Sequence, residues 1–448
     1  MKSNFSEVLI LFQSGKLNEA KNICEEILKQ ETNNSEAYNL YAFVLYSLKE
    51  FDVAIEYWNK ATKINPNYFE AYNGRGNAFI KLQKFDEAII DFNQAIKINP
   101  NYFEAYHNLG SALIKLEKFD EAIINFDQVI KIKSNYAQTY HGKAYALMKS
   151  LKFDEAIINF NQALKINPNY FEAYNNLGSV FINLQKLDEA MASYDQSLKI
   201  KPDNAYAYHG KAYILMKSLK LEEAVNNWNK AIKINPNFVA AYNERGHALV
   251  VLNRLNEALE SYNNAFILNP DSKFLFGNLI HTKFKICSWK SATGDLEELK
   301  NKILKSEKSS PPFPTLTFFD SLLLQKMSAE IWTKENFSKK SFIEKIPKKE
   351  PEKKIRIGYY SADYYEHATS YLIAELIELH DKSKFEIFGF SFGPDKDDEM
   401  RKRISKAFDQ FIDVNLKSDK EVAQLSRDLR IDIAVDLKGF TQFSRFGI

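Results

Sequence analysis

Cysteine is nearly absent, since Cys24 and Cys287 are the only two in 448 residues. That excludes a disulfide framework and fits a reducing cytoplasm; both thiols fall within helical pattern. No apolar run approaches the ~20 residues that cross a bilayer, and Met1 to Leu11 lacks the basic, apolar and small-residue order of a secretory leader. Charge of one sign is missing too: 60 basic against 58 acidic residues leave a formal charge of +2, so neither a nucleic acid nor a membrane is expected as partner. No Gly-x-Gly-x-x-Gly run follows the strand-like segment at Ile355, which removes a dinucleotide-dependent dehydrogenase.

What is present is a period. Alanine stands at 20, 54, 88, 122, 156, 190, 224 and 258, and proline at 66, 100, 168, 202, 236 and 270, with Ser134 in the one skipped place. Within one unit, Phe69 to Tyr102, the offsets put Tyr72, Gly76 and Phe79 on one face of a first helix and Ala88, Phe92 and Ala95 on one face of a second. Asn99-Pro100 stops the second helix, because proline has no N–H and pushes the preceding residue out of helical geometry. Each unit leaves an apolar face that only the next can cover. A 34-residue spacing of this kind is the signature of tetratricopeptide repeats.

These signs predict a mainly α chain: an α-solenoid of eight to nine repeats over residues 1–306, a partly helical connector over 307–354, and a partial Rossmann-like α/β domain over 355–448. The ninth unit is degenerate and caps the stack, with Ala292 keeping register and Trp289 in the place of Phe85. The near-identical segments His141 to Lys152 and His209 to Lys220 lie 68 residues apart and point to duplication of a two-repeat block. Pro and Lys accumulate in the connector, where Thr317 to Trp332 reads as one helical island. Strands are expected at Ile355–Ser361, Phe385–Phe392, Phe411–Leu416 and Ile433–Leu437, alternating with helices at Thr369–His380, Asp397–Phe408 and Lys420–Leu429. Such alternation means a parallel sheet.

Together with the repeats, several short segments carry a resemblance: Cys287-Ser288-Trp289, Pro312-Phe313-Pro314-Thr315-Leu316, the strand Ile355 to Asp363, Glu366-His367-Ala368-Thr369-Ser370, and Asp432 to Thr441. The chain resembles the protein O-GlcNAc transferases. The resemblance implies a two-lobed GT-B glycosyltransferase that moves N-acetylglucosamine from UDP-GlcNAc to Ser or Thr hydroxyls with inversion, without metal or other cofactor. It also implies that this chain stops before the nucleotide-binding lobe, so that it binds no UDP-GlcNAc by itself and is inactive alone.

His367 is the expected catalytic residue, at the sugar and diphosphate as base or donor, with Ala368 where the family has proline. Asp363 is expected to orient it. Asp432, Asp436, Gly439 and Thr441 are candidate substrate contacts; the two aspartates, four apart in a strand, would share a face. The family's inner-surface asparagines, which hold the acceptor peptide, match Asn108, Asn176 and Asn278, whereas Leu40, Gly74, Gly142, Gly210 and Glu244 depart from that pattern. His107, His141 and His209 form a second polar row, in separate repeats and so not a metal site. The expected partner is a protein or peptide in a concave groove, with self-association through solenoid surfaces as a further possibility. A non-catalytic repeat scaffold with a remnant catalytic part is the alternative reading.

Overall fold

The computed structural model describes residues 2–336, 354–439 and 445. It divides into two compact units, Met1–Gly210 and Lys211–Ile448. Among the described residues, no helix is long and apolar enough to cross a membrane.

The first unit is built of antiparallel helix pairs in the predicted register. Ser35–Ser47 pairs with Phe51–Ile64, Phe69–Lys81 with Phe85–Ile98, Phe103–Lys115 with Phe119–Ile132, Ala137–Lys149 with Phe153–Ile166, and Phe171–Asn183 with Leu187–Ile200. The periodic alanines explain the closeness of the pairs, for Ala54, Ala88, Ala122, Ala156 and Ala190 are all wholly buried. Gly76 is fixed by its neighbour: a Cβ there would lie 2.6 Å from the Phe92 ring. Each first helix ends in a left-handed residue, at Lys49, Gln83, Glu117, Leu151 and Gln185, with φ between 58° and 66°. After Phe69–Lys81, the Lys84 amide donates to the Phe79 carbonyl at 2.9 Å and the Gln83 amide to Ile80 at 3.1 Å, the Schellman closure that satisfies the last carbonyls. Second helices stop as expected: Asn99 is the C-cap, and its side chain accepts from the Asn101 amide at 3.1 Å.

The second unit continues with helices Leu221–Ile234, Val239–Val251, Leu255–Leu268, Leu275–Lys285 and Ala292–Leu304. The ninth pair departs from the expected register. Ala292 begins its helix instead of standing on its fourth position, and Trp289 lies before the helix, 54% exposed; Leu299 and Ile303 carry the burial. Cys287 is in the turn before that helix, exposed and with φ 56°, not within a helix. The connector's island is two helices, Pro312–Phe318 and Leu322–Asn336, because Phe319 is extended and ends the first.

The α/β part bears out a parallel sheet. Strands β1 (Ile355–Ser361), β2 (Phe385–Ser391), β3 (Gln410–Asp413) and β4 (Ile433–Asp436) are all parallel, in the order β3-β2-β1-β4. Helices Ala368–Glu378, Glu399–Ala407 and Asp419–Asp428 connect them. Alternation decides the two cores: Ile357, Tyr359 and Ile387 pack with Ile377, Ile404 and Phe408, while Tyr360, Phe388 and Phe390 pack with Val414 and Val422. The chain moves from β1 outward to β2 and β3, then crosses to the other side of β1. The gap between the carboxyl ends of β1 and β4 is therefore the switch point where sheets of this class take their ligands.

Candidate functional site

At that switch point three side chains converge. After β4, the Asp436 carboxylate accepts from the Lys438 amide at 2.8 Å and the Gly439 amide at 3.1 Å. Gly439 takes φ 52° in this turn, a conformation glycine adopts without strain. The turn folds Lys438 back toward β1, where its ammonium donates to Asp363 Oδ2 at 2.7 Å, both side chains less than a tenth exposed. Asp363 is held from its own side as well: its amide donates to Ser361 Oγ at 3.0 Å, and its carbonyl accepts from Ser370 Oγ at 2.6 Å.

His367 is the N-cap of the helix Ala368–Glu378, where its Nδ1 accepts from the Thr369 amide at 3.2 Å. A side-chain acceptor at this place satisfies one of the helix's orphan donors. Ala368 is the first helical residue, the position where proline is best tolerated, so alanine there costs no hydrogen bond relative to the family's proline. Asp363, expected to orient His367, lies beside it without a hydrogen bond. Their closest approach is 3.8 Å, too long for a hydrogen bond, and Lys438 holds the carboxylate instead.

Asp432 does not join Asp436. Its side chain accepts from the Arg356 amide at 2.9 Å, one residue before β4 begins, so the two aspartates lie at opposite ends of the strand. Thr441 lies outside the described residues. Two cations at the carboxyl edge escaped sequence reasoning. Lys438 stands inside the block Asp432 to Thr441 but is not among the residues singled out there; its sign is its place in an Asx-type turn. Arg401, buried, donates to Ser391 Oγ at 3.1 Å and pairs with Asp395 and Asp413 at 3.0 and 3.4 Å.

In the repeats, the three expected groove asparagines are all paired with the preceding unit. Asn108 donates to Asn73 Oδ1 at 2.9 Å, Asn176 to His141 Nε2 at 2.9 Å, and Asn278 to His247 Nε2 at 2.8 Å. His107 Nδ1 lies 3.1 Å from Thr139 Oγ1, and burial pushes His107 and His141 down to about 4. Among the described residues, no group of three histidine, cysteine or carboxylate side chains is placed to hold a metal ion.

Residues 320–448 match glycosyl transferase family 41. Tetratricopeptide repeats match at 43–83, 76–116, 103–136, 152–185, 171–204 and 212–252. Among curated proteins, the chain is 30% identical over 93 residues to the protein described as probable UDP-N-acetylglucosamine–peptide N-acetylglucosaminyltransferase SEC of Arabidopsis thaliana, covering 21% of this chain and 10% of that one. It is 31% identical over 102 residues to SPINDLY of the same plant, covering 22% and 11%. The matched stretch thus spans about a tenth of the length of these relatives. Among solved structures, a tetratricopeptide repeat protein from Parabacteroides merdae aligns at 17% identity with a TM-score of 0.46, covering 55% of this chain and 98% of that one. The chain carries tetratricopeptide repeats, and its carboxyl-terminal segment, residues 320–448, matches the model of glycosyl transferase family 41.

Proposed function

We propose that the protein serves a glycosyltransferase reaction of the O-GlcNAc transferase type, in which N-acetylglucosamine passes from UDP-GlcNAc to a Ser or Thr hydroxyl of a protein. The observation that carries this reading is the family 41 match carboxyl-terminal to tetratricopeptide repeats in one chain. In such a transfer the acceptor hydroxyl bonds to the anomeric carbon as the bond to the diphosphate oxygen breaks, and negative charge grows on the departing group. Preorganised donors at that point lower the barrier. His367 at the switch point, with the buried cations Lys438 and Arg401 at the same sheet edge, supports a site of this kind. Asp436 and Gly439 shape its floor, and Thr441 belongs to the same proposal.

Functionally we divide the chain at 1–306, 307–354 and 355–448, with the repeats receiving a protein or peptide. Since Asn108, Asn176 and Asn278 are committed between repeats, acceptor contacts would come from other groups. A cytoplasmic setting fits the two free cysteines, one buried and one exposed. Self-association through outer helix faces would use Ile90, Ile124 and Ile158, all more than half exposed; sedimentation velocity tests it.

The test of the main reading is transfer of labelled N-acetylglucosamine from UDP-GlcNAc to a Ser-containing peptide, with this polypeptide alone and with a second Rossmann-like lobe supplied as a separate chain. Transfer that disappears in His367→Ala supports the reading. Peptide capture without transfer in both settings is the behaviour of a non-catalytic scaffold.

A further inference from the structure

We infer that Lys438 is a positioning residue that keeps His367 in the Nε2–H form, as a hydrogen-bond donor to the anionic oxygens of a nucleoside diphosphate sugar and not as a base. This deepens the proposed function and rests on it for the identity of the ligand, though not for the state of the histidine.

The argument starts at Nδ1. A backbone N–H can only donate, so the Thr369 amide, 3.2 Å away, makes Nδ1 an acceptor; the Thr369 hydroxyl lies at the same 3.2 Å. A neutral imidazole with one accepting nitrogen carries its proton on the other. The group able to upset this arrangement is Asp363, whose Oδ2 lies 3.8 Å from Nδ1. A free carboxylate at that distance would draw a proton onto Nδ1 and turn the ring from cap into carboxylate partner. Lys438 prevents it by binding the same Oδ2 at 2.7 Å in a site closed to water.

The other charged neighbours are engaged elsewhere. Glu366 accepts from the Tyr371 hydroxyl, Asp398 accepts from the Glu366 and Arg401 amides, and Lys396 lies over the Tyr365 ring. Asp436 sets the reach of Lys438 by bonding the amides of its turn. Asp363, Lys438 and Asp436, from two strand ends, together with the Thr369 amide, thus decide which nitrogen of one histidine holds the proton. A histidine whose Nδ1 accepts from its own helix is not held by a carboxylate there, which favours the donor over the base among the two roles expected from sequence.

The experiment is nitrogen-15 NMR of the full chain labelled at histidine, read through two-bond proton–nitrogen correlations at neutral pH without any sugar nucleotide. His367 is assigned by its loss in His367→Gln. We expect an unprotonated Nδ1 in the parent, a large upfield shift of that nitrogen in Lys438→Met as Nδ1 gains the proton that it then donates to Asp363 and Nε2 gives one up, and recovery of the parent signal in Lys438→Met/Asp363→Asn. A packing role for Lys438 alone would give no such recovery. Lys438→Gln, which keeps a donor to Asp363 but no charge, is measured alongside in case the methionine variant does not fold, and should shift in the same direction. A protonated Nδ1 in the parent overturns the inference, as does a folded Lys438 variant with an unaltered signal. Because no donor sugar is present, either result stands apart from whether transfer occurs.

Discussion

The side-chain amide of Asn176 donates to Nε2 of His141 across 2.9 Å, joining successive repeats through a histidine that must be neutral to accept. Burial holds the folded His107 and His141 at about 4, against ~6.5 in an unfolded chain. As pH falls, the unfolded state therefore binds protons first. Stability is flat above ~6.5 and declines from there to ~4. At ~1.4 kcal/mol per pKa unit, each histidine withdraws on the order of 2–3 kcal/mol across that window. Urea midpoints at pH 4.5 and 7.5 should differ, and the difference should shrink in His141→Gln, which keeps an acceptor for Asn176 but cannot titrate. Equal pH dependence in parent and variant would remove the histidines from the explanation.

Asn108 spans the same kind of junction, to Asn73. Truncating it to alanine deletes a partly buried hydrogen bond worth ~1 kcal/mol. Asn108→Ala should lower the denaturation midpoint by that amount while leaving calorimetric binding of a Ser-containing acceptor peptide intact. Loss of peptide binding at unchanged stability would return Asn108 to the groove.

Phe126, wholly buried, is a tightly enclosed ring of the first unit. A Cβ on Gly110 would approach it to 2.8 Å and one on Gly142 to 2.7 Å, so it packs against glycines of two successive repeats. Phe126→Ala should cost about 3–5 kcal/mol, and Gly142→Ala, which overfills the same space, about 1–3 kcal/mol. Chemical denaturation of both variants checks the ordering; a larger loss in the glycine variant would contradict it.

Much of this was legible in the residues, and the rest was hidden for definite reasons. The Ala88 and Pro100 series betrays the helix pairs because burial and helix arrest demand those residue types at fixed offsets. Left-handed closures at Lys49, Gln83, Glu117, Leu151 and Gln185 were invisible, since nothing in Lys, Gln, Glu or Leu announces positive φ and only the closing hydrogen bonds impose it. Asp432 and Asp436 looked like a pair because spacing of four suits one strand face, yet β4 starts after the first of them. Ala292 kept the period but not the helix position, because its helix begins three residues later than the period places it. Lys438 could not be found from pattern, as its meaning depends on a turn and on a carboxylate 75 residues earlier.

His367 combines two tasks that substitution can separate. Its Nδ1 caps the helix Ala368–Glu378, a contribution of ~1 kcal/mol that alanine would forfeit and asparagine would keep. Asparagine, however, is too short to place a donor where Nε2 stands. His367→Asn should therefore melt with the parent and His367→Ala below it, while transfer to the acceptor peptide falls in both. If His367→Asn retained transfer, the histidine would be a cap and nothing more. If both variants melted with the parent, the 3.2 Å bond to the Thr369 amide would contribute nothing to the helix.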